Sequence, residues 1–297
     1  IYTWAIRDVG ACPYPCLHTK ESGVWALLSI LRAKQIWNQH ADLGHLGDMA
    51  RHIWGPDSDA MMKDFNPTNT VLMKYDHKIV RNERAIRGQR VLDMGCNHGL
   101  WSYMAHRHGA SHVVGVEPRG MFVKGLNAFA QQHDLPMEFH RGYDTDMARL
   151  LRNHRIDTVL MTGVDTLTQW ENMLLDIRKS SAKWLIMQVG AIPDVWVDFT
   201  SAVFDFAKST GSPMPIGFSL YFEHHNADTV SGLNPLYRDQ ADPETGYQHI
   251  DPDGKFDINR SRCITNRRSR QYIRKFIEQV GFTVESTILQ ENKTQDT

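Results

Sequence analysis

The stretch Val91-Leu92-Asp93-Met94-Gly95-Cys96-Asn97-His98-Gly99 decides the fold. A short apolar run from Arg90 to Asp93 enters a turn that carries two glycines. Leu100 to His108 then has helical texture, and Gly109 is placed to cap it. The next apolar run, His112 to Glu117, ends on a carboxylate. In a parallel sheet, a strand–turn–helix unit puts its turn at the carboxyl edge, where ligands bind at the switch in strand order. Gly95 and Gly99 remove side chains where a ligand approaches backbone. Glu117 falls beside the same crevice, and a carboxylate there can accept two hydrogen bonds from ribose hydroxyls.

The same alternation continues downstream. Helical spacing at Phe122, Leu126, Phe129 and Ala130 leads to a strand at 137–140. A helix over 147–153, a strand at 156–161, a helix over 170–178 and a strand at 183–189 follow. Strands alternating with helices, the strands nearly continuous in apolar residues, predict an α/β fold: a Rossmann-like parallel sheet with helices on both faces. Upstream, Val24, Leu27, Leu28 and Leu31 fall at helical spacing and Ile36-Trp37 continue the apolar stripe, and residues 1–88 read as a mostly helical cap segment. The main domain is then 89–297. It carries a helix at 195–208, an aromatic run at 218–222, a polar insertion at about 223–265, a helix over 269–280 and a last strand at 282–289. Residues 216–222 are the expected hairpin partner of that last strand.

Two cofactor classes use such a turn. A dinucleotide site wants G-x-G-x-x-G, and here Asn97 and Leu100 stand at its second and third glycine positions. The pattern Asp93-Met94-Gly95-Cys96-Asn97-His98-Gly99, with Glu117 closing the next strand, resembles instead motif I of the class I S-adenosylmethionine-dependent methyltransferases. The resemblance covers roughly residues 89–190 plus the last helix and strand. It implies that Asp93, Gly95, Cys96, Asn97 and Gly99 line the methionine end of the cofactor S-adenosyl-L-methionine. It also implies that Glu117, followed by Pro118, binds the ribose, and that Asp144, with Tyr143 beside the ring, takes the adenine amine. Gly163 and Asp165 then lie after the fourth strand, facing the transferred methyl.

A finer likeness is carried by Val114-Gly115-Val116-Glu117-Pro118, Met121-Phe122 and Met161-Thr162-Gly163-Val164, which is similar to the tRNA wobble-uridine carboxymethyltransferases. Those enzymes usually have Tyr-His where this chain has Asp165-Thr166. Asp165 is read as an acceptor contact or a helix N-cap. His98 faces solvent or reaches toward the acceptor. His224, with Glu223, His225 and Asp228, is open to three readings: solvated loop, metal ligand, or base and substrate contact. Asp165 and His224 are the two expected catalytic positions, and no metal site is assigned. Cys96 is read as a small buried residue.

Charge and composition bound the rest. Lys plus Arg is 33 and Asp plus Glu is 34 in 297 residues, so no global field favours nucleic acid or an anionic membrane. No run reaches the ~18 apolar residues needed to span a bilayer. Four cysteines make no disulfide framework, and a reduced, cytoplasmic chain is expected. Two basic runs, Lys74-Lys78-Arg81-Arg84-Arg87 and Arg260 to Lys275, are either solvated faces or a surface for a phosphate-bearing acceptor. The expected partner is a small-molecule acceptor, with RNA the alternative. A protein that binds the cofactor without transferring methyl is the remaining reading.

Overall fold

The computed structural model describes residues 2–7, 17–20, 23–58, 62–162, 170–189, 191–192, 219–224 and 262–289. Of 2–7, 17–20, 23–26, 57, 63–64, 144, 170, 191–192, 219–224, 262–272 and 286–289, the backbone alone is described. The N-terminal segment contributes β1 (Tyr2–Arg7), β2 (Leu17–Lys20), α1 (Gly23–His40), α2 (Leu43–Trp54), α3 (Asn69–Lys78) and the short α4 (Glu83–Ile86). Next come β3 (Arg90–Met94), α5 (Leu100–Arg107), β4 (His112–Glu117), α6 (Gly120–Gln132) and β5 (Met137–Arg141). After these follow α7 (Met147–His154), β6 (Thr158–Thr162), α8 (Trp170–Arg178) and β7 (Trp184–Val189). The chain closes with β8 (Ala191–Ile192), β9 (Ser219–His224), β10 (Arg262–Ser269), α9 (Arg270–Val280) and β11 (Thr283–Leu289).

Strands β5, β4, β3, β6 and β7 lie side by side and parallel, in that order. The chain starts in the middle at β3, winds outward to β5, then crosses back to β6. The strand order therefore reverses between β3 and β6, and the turn after β3 opens at that point. This is the Rossmann-like α/β sheet that the alternation predicts.

The far edge differs from expectation. Residues 219–224 do not join β11. They pair antiparallel with β10 in a separate small sheet, with β8 on β10's other side. The place beside β7 is taken by β1, antiparallel to β7 and to β11. Thus the first twenty residues add two strands to a segment read as mostly helical. Thr3, Trp4 and Ile6 are residues that strands favour, but a run of six residues is too short to separate strand from coil in sequence. The 195–208 helix, most of the 223–265 insertion, Cys12 and Cys16 lie outside the described residues.

Each sheet face has its own core. One holds Leu92, Val114, Val116, Met161 and Met187 under α7, α8 and α9. The other joins Val91, Val113 and Phe139 to α5, α6 and the N-terminal helices through Trp37, Leu46, Ile53 and Tyr75. The contact between α2 and α6 is close because Gly125 has no side chain: a Cβ there would lie 2.6 Å from the His52 carbonyl oxygen and 2.8 Å from Ile53 Cα. Helix α1 packs through Ala33 and through Trp37 at the end of the predicted stripe, whereas the leucines at its start are turned outward. Leu27, Leu28 and Leu31 are 57%, 49% and 55% exposed.

Where α1, α3 and α5 meet, His40 stacks on His108 with ring centroids 4.1 Å apart, and Tyr75 Oη lies 2.5 Å from His108 Nε2. Burial pushes the His108 pKa down to about 4, with the charges of His40 and Arg87 acting the same way and Glu83 opposing.

Two expectations follow from this packing. Gly125→Ala has backbone in its way, so α2 must shift, and such overpacking costs about 1–3 kcal/mol. Urea denaturation should show a lower midpoint, and an unchanged midpoint would contradict the close approach. For His108, the unfolded ring titrates near 6.5. Between pH 6.5 and 4 the unfolded chain therefore holds a proton that the folded chain does not, and stability falls as pH drops through that window. His108→Gln should flatten the acid slope by up to ~1.4 kcal/mol per pH unit, measured as urea midpoints from pH 7 to 4.5.

Candidate functional site

The turn after β3 is built from left-handed backbone. Gly95 has φ 76°, Asn97 φ 53° and Gly99 φ 78°. The amides of Gly95 and Cys96 both donate to the Val116 carbonyl, at 3.0 and 2.9 Å, which ties the turn to β4. Asn97 stands where the common pattern has glycine, and asparagine is among the few side-chain-bearing residues that tolerate this conformation. Gly99 has a second reason to be glycine, since a Cβ there would lie 2.5 Å from Leu126 Cδ2 on α6.

Glu117 closes β4 with 3% of its side chain exposed. Its Oε2 accepts from the Asn97 amide at 3.0 Å. Its Oε1 accepts from the Arg119 amide at 3.2 Å and from Arg119 Nε at 2.5 Å. Arg119 Nη2 donates to Asn97 Oδ1 at 2.7 Å, and the guanidinium lies 3.9 Å from the Phe122 ring centre. Arg119 thus covers the carboxylate, and a ribose hydroxyl must displace its Nε to reach Oε1. Pro118 is buried and its carbonyl accepts from Arg141 Nε at 3.1 Å.

Asp93 is fully buried at the end of β3. Ser102 Oγ donates to its Oδ2 at 2.7 Å, whereas Oδ1 has no hydrogen-bond partner among the described residues. Burial raises its pKa to about 6, opposed by the Ser102 hydrogen bond and by the charge of Lys78. Lys78 is buried at the end of α3, its Nζ 4.4 Å from the Trp101 ring centre. Cys96 turns its thiol into the core against Gly115, where burial holds the pKa well above its ordinary value. Only its backbone can face a ligand.

His98 is half-buried against aromatic rings. Its ring packs 5.0 Å from Phe65 and 6.0 Å from Trp54, centre to centre, and Nδ1 is buried without a hydrogen-bond partner among the described residues. Burial, helped by the charges of Arg119 and Lys78, lowers its pKa to about 4, so the ring is neutral at pH 7.

The third strand's turn adds Gly142 and Tyr143. The Gly142 amide approaches the Glu117 carbonyl at 3.3 Å, so this turn and Glu117 share one edge. The Tyr143 amide donates to Asp146 Oδ2 at 2.9 Å. Asp144 opens the turn Asp144–Asp146, and its side chain is outside the described residues. Gly163 and Asp165 lie outside the described residues altogether. His224 ends β9, its backbone paired with Arg262, and its side chain is not described. Asp93, Gly95, Cys96, Asn97, Gly99, Glu117, Pro118 and Tyr143 are therefore gathered at one edge. Arg119, Lys78, Trp54 and Phe65 join them without having been foreseen. Arg119 carries a signal in its position two residues beyond Glu117; the other three come from helices distant in sequence.

No family model matches the chain. A ubiquinone biosynthesis O-methyltransferase of Maricaulis maris is 33% identical over 98 residues, which is 32% of this chain and 38% of that protein. Protein arginine N-methyltransferase 1 of Saccharomyces cerevisiae is 40% identical over 45 residues, 15% of this chain and 13% of that protein. The chain thus spans less than two-fifths of the length of these curated relatives. Among solved structures, the N-terminal domain of EvdMO1 with SAH bound is 14% identical, covers 68% of this chain and 68% of its own, and has a TM-score of 0.41.

The two constraints on Gly99 make a prediction. Gly99→Ala meets both left-handed strain and Leu126, which together should lower stability by about 2–4 kcal/mol. Asn97→Gly keeps the backbone and loses only the Arg119 contact, so it should change stability by less than ~1 kcal/mol. Equal losses in chemical denaturation would show that the loop is not held as described.

Proposed function

We propose that this chain is an S-adenosylmethionine-dependent methyltransferase acting on a small-molecule acceptor. The observation that carries this reading is the buried Glu117 carboxylate bonded to the Asn97 amide at the point where strand order reverses. The residues present suit the cofactor. The unpartnered Asp93 Oδ1 offers a buried acceptor for an ammonium group, directly or through water. Glu117 offers its two oxygens to ribose hydroxyls, and Tyr143 with Asp144 stands on the next turn for the adenine. The curated relatives support it by name, since both are methyltransferases.

Held by Asp93, Glu117 and Tyr143, the cofactor would supply a sulfonium methyl as the electrophile for the acceptor's lone pair. The protein's part is to position the nucleophile and exclude water. Trp54, Phe65 and neutral His98 make the wall beside the turn apolar, which suits exclusion of water. Gly163, Asp165 and His224 are proposed for the acceptor side, and residues 1–88 together with the 223–265 insertion for its cover.

Support for a small molecule over RNA comes from the basic run ahead of the turn. Lys78 is buried, Arg81 donates to Asp76 at 2.6 Å and to Ser29 at 2.9 Å, and Arg87 pairs with Glu83. Lys78 is thus withdrawn from any phosphate and Arg81 is tied down by its partners, while Arg84 and Arg87 stay exposed. The likeness to wobble-uridine enzymes keeps RNA as the second reading.

Calorimetric titration with S-adenosylhomocysteine should show binding, and none at millimolar ligand overturns the proposal. Glu117→Ala should weaken that binding by about 1–3 kcal/mol. Since Asp93 is half protonated near pH 6 when free, an arriving cation should release up to about half a proton there. Titrations in buffers of different ionisation enthalpy measure this, and Asp93→Asn should abolish the release. Labelled methyl passing from the cofactor to any product of a cell extract separates an enzyme from a protein that only binds.

A further inference from the structure

On the other face of the sheet, away from Glu117, four side chains that ligate metals converge. Along the edge strand β5, Met137 and Phe139 face the core under α6, so Glu138 and His140 alternate to the opposite side. There they meet His154, the last residue of α7, and His112, the first residue of β4. His154 Nδ1 lies 3.0 Å from Glu138 Oε1, His140 Nε2 lies 3.5 Å from Glu138 Oε2, and His112 Nε2 lies 2.9 Å from Glu138 Oε1. The His140 and His154 rings are tilted with centres 5.0 Å apart. One ligand atom from each of Glu138, His140 and His154 falls within 4.8 Å of the others.

We propose that Glu138, His140 and His154 form a binding site for a divalent first-row transition metal of the zinc class, with His112 as a fourth ligand or as the group that orients Glu138. The proposal does not depend on methyl transfer. Four ligands around zinc at ~2.1 Å stand about 3.4 Å from one another; the 3.5 Å spacing of His140 and Glu138 already matches, and the others need only side-chain rotation. Two or three imidazoles with one carboxylate suit zinc, copper or nickel, whereas magnesium and calcium take oxygen ligands. A further observation points the same way. His140 Nε2 is buried and, although near Glu138, makes no hydrogen bond among the described residues. A ring nitrogen left so, beside a carboxylate that already collects two other imidazoles, is the arrangement a cation completes. Because the ligands come from β4, β5 and the end of α7, the ion would clip the edge strand to its neighbours. Its place opposite α6 makes it a structural clip.

The signal was present in sequence as Glu138 and His140 two apart on one strand, but His112 and His154 join them only through the sheet. The test uses the full chain stripped by chelation and titrated with zinc, followed by cobalt as a spectroscopic probe. Expected are one tight equivalent, a rise in unfolding midpoint with zinc, and cobalt absorption bands of tetrahedral intensity. His140→Ala and His154→Ala, each folded by circular dichroism, should each weaken zinc by about 100-fold or more. Glu138→Gln, which keeps the shape and removes the charge, serves if either alanine variant fails to fold. No tight equivalent in the parent chain, or an equivalent that all these variants keep, overturns the proposal; the second result would place the ion on other histidines or cysteines.

Discussion

A carboxylate buried as deeply as Glu117 must be paired, and removing one partner of such a pair costs about 3–5 kcal/mol. Here the partners are an amide of the β3 turn and a side chain of the β4 turn. The charge of one residue therefore holds two loops in register at the sheet's carboxyl edge. The left-handed path through Gly95, Asn97 and Gly99 is what turns the Asn97 amide toward that charge. Loop shape and carboxylate position are a single constraint, and every other group of the site is arranged around it.

The N-terminal helices enter the site because α2 can lie directly on α6 at Gly125. That approach delivers Trp54 to the turn, and α3 delivers Lys78. The consequence is electrostatic as well as steric. Asp93 sits in a dry pocket with its nearest buried cation on a different structural unit, and its raised pKa records that burial outweighs this cation. His98 is neutral for the same reason of burial. The pocket thus disfavours charge on its own side chains while leaving one acceptor atom unused.

The parallel sheet and the turn were legible because both depend on local pattern: apolar runs of strand length, glycine at the turn, a carboxylate at the next strand's end. What was not legible depends on partners far apart in sequence. Leu27, Leu28 and Leu31 have the spacing of a buried face yet stay exposed, while Trp37 of the same stripe packs on Tyr75 of α3; spacing marks an apolar stripe without saying which part of it a neighbour covers. His98 was equally ambiguous, since Trp54 and Phe65 reach it from more than thirty positions upstream. Residues 219–224 have strand composition in either location, and β1 and β2, which occupy the two edges of β11, decide against pairing there. Asp165 and Gly163 were read from resemblance alone.

The position of β1 also bears on how the chain folds. Residues 2–7 hydrogen-bond to 184–189 on one side and to 283–289 on the other. During synthesis β1 meets its two described partners only after nearly two hundred residues and then about a hundred more have followed it. Contacts so distant in sequence form slowly. The central β3–β4–β5 unit can assemble while the ends wait, so completing the far edge of the sheet is a late step. Until then β7 presents an open hydrogen-bonding edge, the kind of surface on which a second strand of any origin can pair.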